Sequence, residues 1–255
     1  MRLKIAVVSP HGEDAGLSLG LAIGVWLQQG HAVEVVSCFT RSEHAPFSDA
    51  DSVHANDRMS FVTALRRREA EDWRRQYRSA KLTITDLNLK DARLRLHCAA
   101  EDVTSIAVNE ADKAFAKIHT ALERSRAGAV VFPLALGGHA DHRTAMLAAA
   151  APVGTMAVAF YEDLPDAAAA EAAIEEQTRT VAEAMSTQLV PVFAGDPVDV
   201  SAAETSKRRQ ALCFVSQLED AQVELVAGFC TGYGGRERLW ANPAWLVSFP
   251  ETRTA

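Results

Sequence analysis

The opening of this chain constrains its fold more than any other feature. An apolar run from Leu3 to Val8 meets the polar turn Ser9-Pro10-His11-Gly12-Glu13-Asp14, and the apolar segment Leu17 to Leu27 follows. The first run is rich in Ile and Val and nearly unbroken, the pattern of a strand covered on both faces in a parallel sheet. The second run reads as a buried helix, ended by Gln28-Gln29-Gly30, where the glycine suits a left-handed cap. His31 to Cys38 then reads as a second strand. Strand, helix and strand in this order begin a doubly wound α/β fold.

The rest of the chain extends that plan. Thr40 to Asp57 is polar and turn-rich and reads as a long loop at the edge of the sheet, holding His44 and His54 as solvated side chains. Val62, Leu65, Glu69, Trp73 and Tyr77 mark one face of the next helix, which leads to a short strand at 82–84. A single helix is predicted from about Asp102 to Arg124, with His119 on or beside its apolar stripe as a core residue. Ala127 to Phe132 is another buried strand, followed by a helix over 143–150, a strand over 154–160 and a helix over 167–184. Gln188 to Phe193 returns to the sheet, and one long helix is predicted from Ser201 to about Ala227, with Ala211, Val215, Leu218 and Leu225 inward. The segment through Trp240 and Trp245 reads as a closing strand or hairpin. With no repeat, low-complexity tail or linker, residues 1–255 are expected to form a single Rossmann-like α/β domain, its sheet mostly parallel with helices on both faces.

Composition narrows the function. A formal charge of −7 argues against a nucleic-acid partner, which would need a surplus of Lys and Arg. The one basic run, Arg66-Arg67-Arg68, is followed at once by Glu69, Glu71 and Asp72, as on a mixed helix face. The four cysteines are scattered without a CxxC pair and read as small buried hydrophobes. No apolar run approaches the roughly 20 residues that span a bilayer, so no membrane insertion is expected. The first residues run straight into a strand without the longer apolar core of a signal peptide, which makes a cytoplasmic location the expectation.

Two stretches carry chemistry. The turn at 9–14 and the later Gly138-His139-Ala140-Asp141-His142 each follow a buried strand. In a parallel sheet all strands end at the same edge, where ligands bind, so residues after these two strands can meet. Zinc in catalytic sites takes three protein ligands plus water. His11, Asp14 and His142 supply a His₂Asp set, and Glu13 is left free to act as a base. Gly12, Gly16 and Gly20 do not make a dinucleotide fingerprint, because two carboxylates stand where a pyrophosphate needs bare backbone N–H groups. His97 beside Cys98 lacks further ligands nearby and receives no role.

These residues resemble the LmbE-like (PIG-L type) zinc-dependent N-deacetylases. Ser9-Pro10-His11-Gly12-Glu13-Asp14 with Leu17-Ser18-Leu19-Gly20 looks like their opening motif, and the 138–142 stretch like their second. Weaker features fall in order at 68–72, 87–92 and 161–165, then at Lys207, Ala211 and Ser216-Gln217. The resemblance implies a Rossmann-like hydrolase that removes an N-acetyl group from a GlcNAc-type sugar or small glycoconjugate. It further implies that His11, Asp14 and His142 bind Zn²⁺, Glu13 is the general base, His139 stabilises the oxyanion and Asp141 orients His139. Arg68 and Asp91 would face the sugar. The chain departs from the family where Gly12-Glu13 replaces the usual Pro-Asp, giving a longer base on a looser backbone. That departure keeps open a metal-binding but catalytically weak sugar-binding or regulatory module, and beyond it a structural protein whose histidines are incidental. Self-association as a homo-oligomer is open.

Overall fold

The opening run forms β1 (Lys4–Ser9), followed by α1 (Asp14–Gln28) and β2 (Ala32–Ser37), with Gly30 at φ 90° turning the chain between them. A computed structural model of the chain describes residues 2–250 and 253–254. Next come α2 (Ala55–Arg75), β3 (Leu82–Asp86), α3 (Ala92–Leu96) and α4 (Lys113–Ser125). β4 (Ala129–Pro133), α5 (Ala140–Leu147) and β5 (Ala157–Tyr161) repeat the strand, helix, strand unit. They are followed by α6 (Asp166–Ala169), α7 (Ala173–Ala184), β6 (Val190–Phe193), α8 (Val200–Ala211) and α9 (Asp220–Phe229). β7 (Arg238–Ala241), α10 (Pro243–Ser248) and β8 (Arg253–Thr254) close the chain.

The strands form one sheet in the order β3-β2-β1-β4-β5-β7-β6-β8. From β3 to β5 all neighbours are parallel, whereas β7 runs antiparallel to both β5 and β6. Every residue of β4 and β5 is buried, so both faces of the sheet are covered, as the continuous apolar runs require. This is a single, mostly parallel α/β domain. The chain winds outward from β1 to β2 and β3 on one side and to β4 and β5 on the other. The crevice beyond β1 and β4 is therefore the topological switch point, where α/β sheets bind ligands.

Four predicted elements differ in extent or kind. The helix expected from Asp102 begins only at Lys113, because Asn109 and Asp112 accept the Ala111 and Ala114 N–H groups and hold the preceding chain in turns. The helix expected over 167–184 is two, α6 and α7. The long helix expected over 201–227 is also two. Glu69 draws the intervening segment away by accepting the Ser216 N–H and hydroxyl, and Gln222 caps the new start by accepting the Glu219 N–H. Ala211 and Leu218 are inward as expected, but Val215, in the segment between α8 and α9, and Leu225, on α9, are exposed. Trp245 lies in a helix, α10, because Asn242 caps it and Pro243 fits its first turn. Among the described residues no helix is long and apolar enough to cross a membrane.

Candidate active site

The turn after β1 is fixed by its own side chains. Ser9 Oγ donates to the His11 carbonyl at 2.6 Å and accepts the Ala15 N–H at 3.1 Å, while Asp14 Oδ2 accepts the His11 N–H at 2.6 Å. These bonds bend the strand into α1 and turn the His11 ring and the Asp14 carboxylate the same way. Asp14 is also the first residue of α1, where the helix end favours negative charge. After β4 the backbone takes positive φ at Ala135, Gly137 and Gly138, which turns the chain sharply into α5. His139 caps that helix through Nδ1, which accepts the Asp141 N–H at 3.2 Å, and His142 sits in the first turn.

The two turns meet. His11 Nδ1, His142 Nε2 and Asp14 Oδ2 form a triangle whose three edges are each 3.4 Å. A tetrahedral zinc with bonds of about 2.0–2.1 Å keeps its ligand atoms about 3.3–3.4 Å apart, so the triangle matches one face of such a site. Behind it stand two carboxylates. Asp163 Oδ1 lies 2.6 Å from His142 Nδ1, and Asp141 Oδ2 lies 3.2 Å from His11 Nε2, the outer partners that commonly fix metal-binding imidazoles. A second group, His11 with His139 and Asp141, is less suited to a metal. The His139 Nδ1 lone pair already accepts a backbone N–H, and both Asp141 oxygens are engaged by Arg95 Nη2 at 2.6 Å and the Ala92 N–H at 2.8 Å.

Charge inside the cluster is strongly coupled. Burial alone would lower the pKa of His11 and His142. Asp14, helped by Asp141 at His11 and by Asp163 at His142, outweighs it and raises His11 to about 10 and His142 to about 9. Burial would raise the Asp14 pKa, but His142 and His11 hold it below the ordinary carboxylate range. His139 behaves oppositely. Burial, followed by the nearby charge of His11, pulls it down to about 3, so its ring is neutral at pH 7. With Nδ1 occupied as an acceptor, the proton of this neutral ring resides on Nε2, leaving a hydrogen-bond donor.

The sequence-predicted residues fare differently. Glu13 lies in the cleft with both oxygens on Arg66 Nη2, at 2.7 and 2.9 Å. Arg66 is on the inward face of α2 with Glu69, Ala70 and Trp73, whereas Arg68 is on the outward face, its side chain 83% exposed and 3.8 Å from Asp72. The expectation that Arg68 faces a sugar is thus corrected: on a helix, residues three apart share a face, and counting back from Glu69 selects Arg66. Asp91 does line the cleft, and its Oδ1 also caps α3 by accepting the Leu94 N–H at 3.0 Å. Asp141 does not hold His139 with its carboxylate, which is 4.0 Å from Nδ1; its backbone N–H does that, and its carboxylate serves His11. His44, expected as a loop residue in solvent, is exposed but lines the cleft, and its carbonyl accepts a bond from Arg66. His54 caps α2 with its ring, and His119 is half-buried against Phe115 with ring centres 4.6 Å apart.

Sequence reasoning missed Arg66, Asp163 and Arg95. Helical spacing could have found the first. The other two depend on which strands become neighbours, although Asp163 stood in a stretch already singled out after β5. The cleft has a volume of about 310 Å³. A larger cavity of about 540 Å³ between the second half of α1 and α8 contains no histidine, so size does not locate the chemistry.

Comparison with known proteins gives the family and the fold. Residues 6–153 match the PIG-L family, described as GlcNAc-PI de-N-acetylase. The chain is 33% identical over 229 residues to the 2'-N-acetylparomamine deacetylase of Streptomyces fradiae, covering 86% of this chain and 75% of that protein. The zinc-inhibited form of teicoplanin deacetylase shares its fold at a TM-score of 0.64 and 18% identity, covering 99% of this chain and 98% of that one. The N,N'-diacetylchitobiose deacetylase of Pyrococcus horikoshii does so at a TM-score of 0.62 and 16% identity, covering 96% of this chain and 85% of that one.

Proposed function

Because the chain belongs to the PIG-L family, we propose that it hydrolyses the acetamide of an N-acetylated amino sugar or small glycoconjugate, releasing acetate and a free amine, with zinc held by His11, Asp14 and His142. The observation that carries this reading is the triangle of one carboxylate oxygen and two imidazole nitrogens with edges of 3.4 Å. Relatives named for sugar substrates support the substrate class.

A zinc ion in this site would lower the pKa of a bound water to about 7 and polarise the acetamide carbonyl. Every other step falls to side chains. Glu13 takes the proton from the attacking water and returns it to the departing amine. Arg66 grips both oxygens of Glu13, which fixes the direction of a side chain one methylene longer than the family's usual aspartate. That grip offsets the looser backbone at Gly12 and favours a working hydrolase over a binding module. His139 Nε2–H donates to the oxygen that gains charge as the carbonyl becomes tetrahedral, a contribution of about 3–4 kcal/mol at comparable sites. Asp91 accepts a sugar hydroxyl with the oxygen that does not cap α3. The reaction takes place in the compartment where the chain resides, which we take to be the cytoplasm.

The test is acetate release from N-acetylglucosamine conjugates. Release that a chelator abolishes and one equivalent of zinc restores is the expected result, with cobalt and excess zinc run in parallel to identify the metal. Release that survives complete metal removal overturns the reading.

A further inference from the structure

One carboxylate in the cleft has no role in the chemistry above. Asp166 opens α6, just after Leu164 and Pro165, and lines the cleft with them. Among the described residues its carboxylate makes no hydrogen bond or ion pair, although it is only partly exposed, and burial raises its pKa against the opposing charge of His142. The other carboxylates of the cleft lining are committed. Glu13 pairs with Arg66, Asp14 belongs to the triangle with His11 and His142, and Asp91 caps α3.

The backbone makes room for this carboxylate. A Cβ on Gly137 would come within 2.5 Å of Asp166 Cγ, and φ is 76° there, so any side chain at 137 would both strain the turn and displace Asp166. The turn that Asp166 rests on is the one that delivers His139. An unpaired, partly desolvated carboxylate is a cost to the fold that a cationic ligand group would offset. The cleft, at about 310 Å³, is at the small end of ligand sites, so a substituent near the acetamide remains within its walls.

We propose that Asp166 is a specificity-determining residue, selecting N-acetylated amino sugar conjugates that carry a second, unacetylated and protonated amine. This rests on the deacetylase reading of the same cleft and adds a cationic substrate class to it. The amine donates a charge-assisted hydrogen bond to the Asp166 carboxylate, an interaction a neutral hydroxyl at the same position reproduces only weakly.

Two disaccharides test this: N-acetylglucosamine linked to glucosamine, and N-acetylglucosamine linked to glucose, which differ by one amine. Binding is measured by calorimetry on zinc-loaded Glu13→Gln protein, where turnover does not interfere, and again with Asp166→Asn or Asp166→Glu added. The amine-bearing sugar is expected to bind about tenfold more tightly. Asp166→Asn removes that preference without lowering the thermal midpoint, Asp166→Glu restores part of it, and added salt weakens it. Equal affinity for the two sugars, a preference that survives Asp166→Asn, or no binding of either sugar overturns the proposal. Acetate release from the same sugars is scored separately on protein with Glu13 intact. A preference for the amine without acetate release would overturn the hydrolase reading and leave the Asp166 selectivity standing.

Discussion

In the proposed mechanism turnover depends on the pair Glu13 and Arg66. Replacing Glu13 by Gln keeps the size of the side chain and removes the base. We expect kcat to fall by about 100-fold or more, within the range of general acid–base contributions, while zinc content measured by elemental analysis stays at the wild-type level. Unchanged turnover would remove Glu13 from the mechanism. The Arg66→Met and Arg68→Met variants separate two neighbours that look alike in sequence. Arg66→Met releases a base held from one side and should lower kcat by about tenfold or more. Arg68→Met alters only an exposed side chain and should leave kcat unchanged and stability within about 0.5 kcal/mol. The opposite ranking would return Arg68 to the site. At this scale the meeting of His11, Asp14 and His142 was legible because they lie just after apolar strands, where parallel topology alone brings them together. Asp163 and Arg95 were not, since their contacts arise only once β5 and α3 have packed beside those strands.

Strands were easier to foresee than helices. A strand buried on both faces announces itself as a continuous apolar run, and each such run became a strand of the parallel half of the sheet. Helix breaks depend instead on single polar contacts that the periodicity of apolar residues does not reveal. The division between α8 and α9 is one, because Glu69 on α2 reaches across to Ser216 and pulls the chain out of helix. The same α8 is anchored to the core by Lys207, whose side chain is 1% exposed and pairs with Glu237, while Glu237 Oε2 also accepts the Ala22 N–H at 2.9 Å. Breaking one side of a buried pair leaves an uncompensated charge. Lys207→Met should therefore cost about 3–5 kcal/mol in urea unfolding, and the double variant Lys207→Met/Glu237→Leu should recover much of it. A single-variant cost below about 1 kcal/mol would mean that the pair does not hold α8 to α1.

His11, Asp14 and His142 stand just beyond the ends of β1 and β4, so a metal held there would clamp two halves of the sheet whose elements are separated by most of the first 130 residues. A ligand that binds only the folded chain stabilises it by about 4 kcal/mol at a free concentration near 1,000 times its Kd, which in a chain of this size raises the melting temperature by about 8–16 °C. Removing zinc with a chelator should reverse that rise. The size of the rise should also depend on pH, in a direction the cluster fixes. His11 and His142 are raised to about 10 and about 9 without metal, above their ordinary value of 6.5. Their protonated rings thus contribute stability to the metal-free protein that is fully present below pH 6.5 and is lost as pH rises through 9 to 10. Zinc requires both rings neutral, so between pH 6 and 8 its binding displaces up to two protons. Each unit of rising pH then tightens binding by as much as about 100-fold, or about 2.7 kcal/mol. Measured by calorimetry at a fixed, buffered free zinc concentration, the gap in melting temperature between loaded and chelated protein should widen from pH 6 to pH 8. In His142→Ala the zinc-dependent gap should nearly vanish at both. A gap in the wild type that is the same at pH 6 and pH 8 would show that zinc stabilises the fold from somewhere other than His11 and His142.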